Sequence, residues 1–223
     1  MNSGLRYIKN LVRQGENDHL EFKRKAAHPE KIIREVVAFA NSTGGTLLVG
    51  VDDSGEIPGV KFPEEEEYIL NKAIAELCSP RLVYELEIVR LSEFQERAIL
   101  MYTIPEGDKK PYYAREKPGD KYGRAYIRLA DKSVQASREV VGILKRKKRD
   151  SDSAFRFGEK EQLLLKYLET HGKVTVREFS ELAKISTYQS SQKLILLASN
   201  HVLKIHPNEK EDYFVFAEEG VAW

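Results

Sequence analysis

The sequence predicts a mixed α/β (α+β) N-terminal domain followed by a smaller winged helix-turn-helix domain. Three observations support this prediction. Helical and strand periodicities alternate up to about residue 144, a short basic segment follows, and three helical segments with a hairpin pattern close the chain. A length of 223 residues is typical of two domains. We therefore assign 1–144 to the α/β domain, 145–153 to a basic linker and 154–223 to the winged helix-turn-helix.

The composition is that of an ordinary globular protein. Hydrophobic residues make up 41% of the chain and charged residues 32%, which disfavours both a membrane protein and a disordered one. No apolar run approaches the roughly 20 residues that span a bilayer, and the first residues lack the apolar core of a signal peptide. We therefore expect a cytoplasmic protein with no membrane partner.

The first elements are a short helix and a strand. Apolar residues at helical spacing predict a helix over 3–14. Residues 19–24 then alternate between apolar and charged, which is typical of a strand with one buried face. Because side chains two residues apart point to the same side of a strand, Glu21 and Lys23 are predicted to share a face.

A second helix and a buried strand come next. Pro29 fits the first turn of a helix, and the glycine pair at 44–45 supplies the backbone freedom that ends it. The nearly continuous apolar run at 46–51 is typical of a central strand. Asp52 and Asp53 follow at once, so this strand carries two aspartates to its own end.

The rest of the first domain is predicted to be mainly strands. An acidic helix start and an apolar pattern indicate a helix over 64–77, which a Ser-Pro pair ends. Segments 83–91, 97–104 and 124–129 have the β-branched and aromatic content of strands. The first domain is therefore mixed α/β.

The C-terminal region carries the pattern of a winged helix. Helices are predicted over 159–170, 175–184 and 187–200, and a hairpin over 203–206 and 213–216. In a DNA reader of this kind the third helix enters the major groove. We expect four polar side chains of that helix to face outward toward DNA: Tyr188, Gln189, Gln192 and Lys193. The alternative is a dimerisation or protein-docking module.

A basic and aromatic strip lies near the end of the first domain. Residues 109–132 contain eight basic residues against three acidic ones, which suits binding to a sugar-phosphate backbone. Tyrosines between them could stack on bases, although tyrosine is also a common strand residue. The expected phosphate contacts are Lys110, Arg115, Lys121, Arg124 and Arg128, and the tyrosines are Tyr112, Tyr113, Tyr122 and Tyr126.

Four short blocks resemble a known family. They are Glu-Phe-Lys at 21–23, VAFANSTGG at 37–45, LLVGVDD at 47–53 and Tyr-Ile-Arg at 126–128. Together they resemble the Schlafen AlbA-type DNA-binding domain family over roughly residues 10–140. The resemblance implies nucleic-acid binding. DNA is favoured over RNA as the polymer, with RNA left open, and Lys23 and Arg24 join the expected contacts. A winged helix after such a domain resembles bacterial transcriptional regulators or helicase-like proteins.

The same resemblance implies a second set of candidate residues. Nuclease members of the family use three carboxylates, and the matching positions are Glu16, Glu21 and Asp52, with Lys23 beside them. Such carboxylates could hold Mg²⁺ or Mn²⁺ against a scissile phosphate. The structural alternatives are that Glu21 and Lys23 form an ion pair and that Asp52 only shapes its turn, while Asp53 could replace Asp52 in a metal role.

The leading hypothesis is a DNA-binding transcriptional regulator that is not an enzyme. No cofactor is expected, since the sequence contains no GxxxxGK[ST] phosphate loop for ATP. One alternative is a ribonuclease or deoxyribonuclease that requires Mg²⁺ or Mn²⁺ at the three carboxylates. The other is an interaction module in which the C-terminal domain pairs two chains as a homodimer.

Overall fold

A computed structural model describes residues 3–92, 95–146 and 158–217. The chain divides into two compact units, residues 1–135 and 136–223. Within the described ranges, no helix is both long enough and apolar enough to cross a bilayer.

The described residues of the first unit form three helices and eight strands, numbered here along the chain. The helices are α1 (Ser3–Val12), α2 (Pro29–Asn41) and α3 (Pro63–Leu77). The strands are β1 (Leu20–Lys23), β2 (Gly45–Val49), β3 (Cys78–Ser79), β4 (Glu85–Ser92), β5 (Gln95–Ile104), β6 (Tyr113–Ala114), β7 (Tyr126–Leu129) and β8 (Lys132–Gln135). The mixed α/β prediction for this part of the chain is confirmed.

A four-stranded sheet in the order β1-β2-β5-β4 forms the centre of this unit. Strand β1 runs parallel to β2, and the other neighbours are antiparallel. Leu47 and Val49 of β2 pack in the same core as α2 and α3, whereas Leu48 packs in the core that contains Ile8 of α1. The sheet therefore buries both faces, which explains why β2 is apolar throughout.

Two glycines fix the turn between α2 and β2. Gly44 has a φ of +82°, and a Cβ there would lie 2.8 Å from the carbonyl oxygen of Ile104. A Cβ on Gly45 would lie 2.3 Å from the ring of Phe39. Only glycine lets the chain pass this close to its neighbours.

Asn41, at the end of α2, joins this helix to two distant backbone segments. Its Nδ2 donates to the carbonyl oxygens of Tyr112 at 2.9 Å and Tyr126 at 2.8 Å, and its Oδ1 accepts from the Tyr112 N–H at 2.7 Å. The residue is buried. Its amide therefore supplies hydrogen-bond partners to backbone groups of both segments that would otherwise be buried without any.

The described residues of the second unit, 136–146 and 158–217, form four helices and a hairpin. The helices are α4 (Arg138–Arg146), α5 (Glu159–His171), α6 (Val176–Ala183) and α7 (Thr187–Ser199), and the strands are β9 (Leu203–His206) and β10 (Tyr213–Phe216). The order of three helices and a hairpin from α5 to β10 follows the prediction, and β9 pairs with β10 in antiparallel register.

Helix α4 packs with the second unit, so the division of the chain lies before the boundary predicted at residue 144. A Cβ on Gly142 would lie 2.7 Å from Ile195 of α7, and Ser191 donates to Glu139 at 2.5 Å. The helix is thus part of the second unit, and the division falls after residue 135. Within the predicted basic linker, 145–146 end α4, and 147–153 lie outside the described residues.

We predict that Asn41→Ala lowers the free energy of unfolding by about 3–5 kcal/mol. It would leave buried backbone groups of two segments without partners, at about 1–3 kcal/mol for each group. The measurement is urea denaturation followed by circular dichroism.

The matched control is Asn10→Ala, because Asn10 is exposed on α1. It should change stability by no more than about 0.5 kcal/mol. Equal stability of the two variants would contradict the role of Asn41.

Candidate nucleic-acid interface

Glu21 on β1 belongs to a buried charge cluster rather than to an open site. Its side chain is only 7% exposed, and Oε2 lies 2.9 Å from Nη1 of Arg128. Its other oxygen accepts from Lys23 Nζ, which also donates to the carbonyl of Phe22 at 2.9 Å. Glu21 and Lys23 share a face, as predicted, and they form the ion pair that was the structural alternative.

Arg128 on β7 forms the centre of this cluster, and its side chain is 1% exposed. Besides contacting Glu21, Nη1 lies 2.8 Å from Glu35 Oε2 and 3.0 Å from Ser133 Oγ. Nη2 donates to the Asn17 carbonyl at 2.7 Å. The prediction that Arg128 contacts a phosphate is therefore wrong, because its guanidinium is buried among protein acceptors.

Glu35 on α2 is the second carboxylate of the cluster, and the sequence reasoning missed it. It accepts from the hydroxyl of Ser133 as well as from Arg128. Burial raises its pKa above the usual 4.5, and the nearby charge of Glu21 raises it further. A signal was available: Glu35 stands inside the apolar stretch of α2 between Ile33 and Val36.

Glu16 lies next to this cluster. Its Oε1 accepts from the backbone N–H of Phe22 at 2.8 Å, so the carboxylate fixes the turn before β1. Burial raises the pKa of Glu16; the Phe22 N–H opposes this change, and the charges of Glu21 and Asp53 add to it. The chain therefore turns so that Glu16 and Glu21 come near each other. Asp53 is the aspartate whose charge raises the pKa of Glu16.

Asp52 is committed to its own turn. Its Oδ1 accepts from the N–H of Ser54 at 3.1 Å, from the hydroxyl of Ser54 at 2.6 Å and from the N–H of Glu56 at 3.1 Å. The hydroxyl hydrogen bond is the main reason that the pKa of Asp52 is lowered. This arrangement is the turn-shaping role that was considered as the alternative to metal binding.

The predicted metal set therefore does not fit a cation in this arrangement. Both oxygens of Glu21 face cations of the protein itself, and Asp52 Oδ1 already accepts from three donors. Among the described residues, no group of three or more His, Cys, Asp or Glu side chains is placed to hold a metal ion. The structure does not bring Glu16, Glu21 and Asp52 together as Mg²⁺ or Mn²⁺ ligands.

The basic strip of residues 109–132 divides into an internal and an exposed part. Lys110 is 12% exposed and donates to the Ser42 carbonyl oxygen and to Glu106, so its predicted phosphate contact is not favoured. Tyr112 and Tyr126 are buried core residues, whereas Tyr122 is 79% exposed. The exposed central part of the strip lies between Tyr112 and Tyr126.

We call this exposed part the basic surface: Lys117, Lys121, Tyr122 and Arg124, in the loop between β6 and β7. Lys121 Nζ lies 5.4 Å from the centre of the Tyr122 ring. Arg124 forms an ion pair of 3.5 Å with Glu116, and both side chains are more than half exposed. Such pairs are weak and are easily exchanged for another anion.

The two predicted contacts on and after β1 differ in exposure. Lys23 is 28% exposed and bound to Glu21. Arg24 is exposed, and its charge helps to lower the pKa of Asp52.

In the second unit, the four predicted residues of α7 have different surroundings. Lys193 donates to the buried Glu161, and the Gln189 Oε1 accepts from the N–H of Ser186 at 3.2 Å in the cap of the helix. Tyr188 is 61% exposed, with the Arg138 guanidinium 4.9 Å from its ring centre. Gln192 is half-buried. Tyr188 and Gln192 are therefore the two of the four that are engaged neither in the helix cap nor in an ion pair.

The first unit is thus a mixed α/β domain in which one set of charged side chains is buried and another is exposed on the loop between β6 and β7. The family model described as Schlafen, AlbA_2 matches residues 16–137. Since this match covers more than half of the chain, the protein belongs to that family. Membership suggests a nucleic-acid-binding role.

One solved structure with similarity to this chain is the DIP2311 protein from Corynebacterium diphtheriae. The identity is 16% and the TM-score 0.44, and the match covers 65% of this chain and 33% of that one. The chain therefore spans about a third of the length of that protein.

We predict that Arg128→Met lowers the free energy of unfolding by about 3–5 kcal/mol, since it leaves Glu21 and Glu35 buried without their cation. Arg124→Met, in the exposed loop, should cost less than about 1 kcal/mol. Urea denaturation of both variants measures the difference. A loss of stability as small as that of Arg124→Met would contradict the structural role of Arg128.

We also predict a pH dependence that belongs to Glu35. Because its pKa lies above 4.5 in the folded protein, the folded state holds this proton more tightly than the unfolded chain. Its contribution to stability therefore falls as the pH rises above 4.5 and levels off beyond the folded-state pKa.

The measurement is the free energy of unfolding of wild type minus that of Glu35→Gln, across a pH series that begins near 4.5. This difference should decrease as the pH rises. Glu16 also has a raised pKa, but it is present in both proteins and cancels. A difference that grows with pH would contradict the assignment.

Proposed function

We propose that the protein is a DNA-binding transcriptional regulator rather than an enzyme. The observation that carries the proposal is the basic surface, in a domain whose family suggests nucleic-acid binding. Residues 115–124 carry four basic and two acidic side chains. This excess of positive charge on an exposed loop suits contact with phosphates.

The chemistry of the loop supports two kinds of contact. Lys117 and Lys121 place ammonium groups in solvent, where they can replace the counterions of a nucleic acid. Tyr122 offers a ring on which an unpaired base can stack. The loop is anchored behind the surface, since Asn41 binds the backbone of Tyr112 and Tyr126 on either side of it.

The second unit is proposed to act as a winged helix-turn-helix. The hairpin β9-β10 follows α7, as the wing follows the recognition helix in such domains. Tyr188 and Gln192 are the side chains proposed to contact DNA, while Gln189 and Lys193 stabilise the unit itself. Pairing of two chains through this unit remains a separate outcome that a sedimentation measurement would reveal.

Nuclease activity is not favoured by the arrangement of the carboxylates. Glu21 is neutralised by Arg128 and Lys23, and Asp52 is held in its turn. A cation at this site would have to compete with each of these partners.

We predict salt-dependent binding that requires the basic surface. The measurement is fluorescence anisotropy with double-stranded DNA, single-stranded DNA and RNA at several salt concentrations. Replacing Lys121 and Arg124 together by Gln should weaken binding about tenfold or more, and should reduce the slope of log affinity against log salt by about two.

The control is the double replacement of Lys72 and Arg90 by Gln, since both are exposed and lie on α3 and β4. It should leave the affinity and the slope close to wild type. Binding that does not change with salt, or that the control weakens equally, would contradict the proposed surface. Parallel samples with EDTA or Mn²⁺ should show intact strands; fragments that appear only with Mn²⁺ would support the nuclease alternative instead.

A further inference from the structure

A small cavity lined by arginines lies beside the basic surface. It has a volume of about 170 Å³. Its charged and aromatic lining residues are Arg34, Arg115, Arg124, Tyr126, Glu30 and Glu116. Three arginines thus line one space: Arg34 of α2, Arg115 directly after β6 and Arg124 in the segment before β7.

These guanidiniums are differently engaged. Arg34 lies 5.8 Å from the centre of the Tyr126 ring, and Arg124 forms the exposed pair with Glu116. Within the described part of the chain, neither Arg34 nor Arg115 forms an ion pair. Two of the three cations around the cavity therefore have no ion-pair partner among the described residues.

The cavity favours a small anion. Arginine binds phosphate and carboxylate oxygens in a planar, bidentate manner, and it stays charged at all relevant pH values. Pockets that enclose whole drug-sized ligands measure roughly 300–1,000 Å³, so this cavity holds a single group and leaves the rest of its ligand outside. The adjacent basic surface is where the rest of a nucleic acid would lie.

We propose that the arginine cavity takes a terminal phosphate of a nucleic-acid strand, an inference that rests on the proposed function. A terminal phosphate carries about −1.5 to −2 charges at neutral pH and three free oxygens. A phosphodiester within the strand carries one charge and two free oxygens. Three guanidiniums match the terminal group, and a small cavity suits a strand end better than a strand that continues in both directions.

The two carboxylates of the lining are held by other partners. Glu116 pairs with Arg124, and Glu30 lies 3.5 Å from His28. Both side chains of the Arg124–Glu116 pair are more than half exposed, and such a pair is weak. A phosphate can therefore displace Glu116 and bind all three guanidiniums.

The test compares one single-stranded DNA sequence in three forms: a 5′-phosphate, a 3′-phosphate, and hydroxyls at both ends. Anisotropy titrations of an internally labelled strand near pH 7.5 give the three affinities. For the wild type, one of the two phosphates should tighten binding by about tenfold, which is the size expected for one charge-assisted contact. This gain should shrink near pH 5, where the terminal phosphate loses its second charge.

The variants Arg34→Gln and Arg115→Gln should reduce this gain in affinity toward a factor of one, which means that a terminal phosphate no longer tightens binding. Lys121→Gln is the matched control: it removes an exposed cation that does not line the cavity. It should weaken binding of all three strands equally and leave the gain unchanged. Thermal unfolding of each variant checks that the fold is retained.

Each other result overturns the inference in a distinct way. If the strands bind but a terminal phosphate adds nothing, the inference fails and the proposed function stands. If a gain exists but survives in both cavity variants, the phosphate binds elsewhere. If those variants weaken all strands equally, the cavity holds a backbone phosphate instead. If no strand binds, the proposed function fails as well.

Discussion

The buried guanidinium of Arg128 is the constraint on which the first unit depends. It joins β7 to β1 through Glu21 and to α2 through Glu35, with the two carboxylates 2.9 and 2.8 Å from the same nitrogen. Its planar face lies 4.8 Å from the ring centre of Phe39. Burying three charges is costly unless each is paired and hydrogen-bonded. The cluster therefore specifies how helix, sheet and β7–β8 hairpin fit together, because another packing would leave a charge unpaired.

This arrangement separates charges that hold the fold from charges that face solvent. Asn41 binds the backbone of Tyr112 and Tyr126, and Ser42 accepts from the N–H of Arg128 at 2.9 Å. The segment between the two tyrosines is thus held at both ends while its middle carries exposed lysines and arginine. A rigid frame beneath a charged loop lowers the entropy lost when that loop binds a ligand.

The sequence predicts which side chains share a face of a strand, but not which residues they contact in the folded chain. Alternation in β1 places Glu21 beside Lys23, and the apolar run predicts β2. The position of Arg128 in the chain is no guide to its burial, because its acceptors come from residues 93 and 107 positions away. Helix α4 was placed in the first domain for a different reason: the basic run that begins with Lys145 and Arg146 suggested a linker only after residue 144, whereas the helix packs against α7.

Electrostatics also indicates where an anionic ligand does not approach. Around the end of β1, burial is the main reason that the pKa of Glu16 is raised, and the charges of Glu21 and Asp53 add to it. Lys23, a cation at the end of β1, is already bound to Glu21. A phosphate that moved toward Lys23 would meet the carboxylates of Glu16 and Asp53 and would have to break a partly buried ion pair. The loop between β6 and β7 carries four basic and two acidic side chains over residues 115–124, so its balance of charge favours an anion more than the end of β1 does.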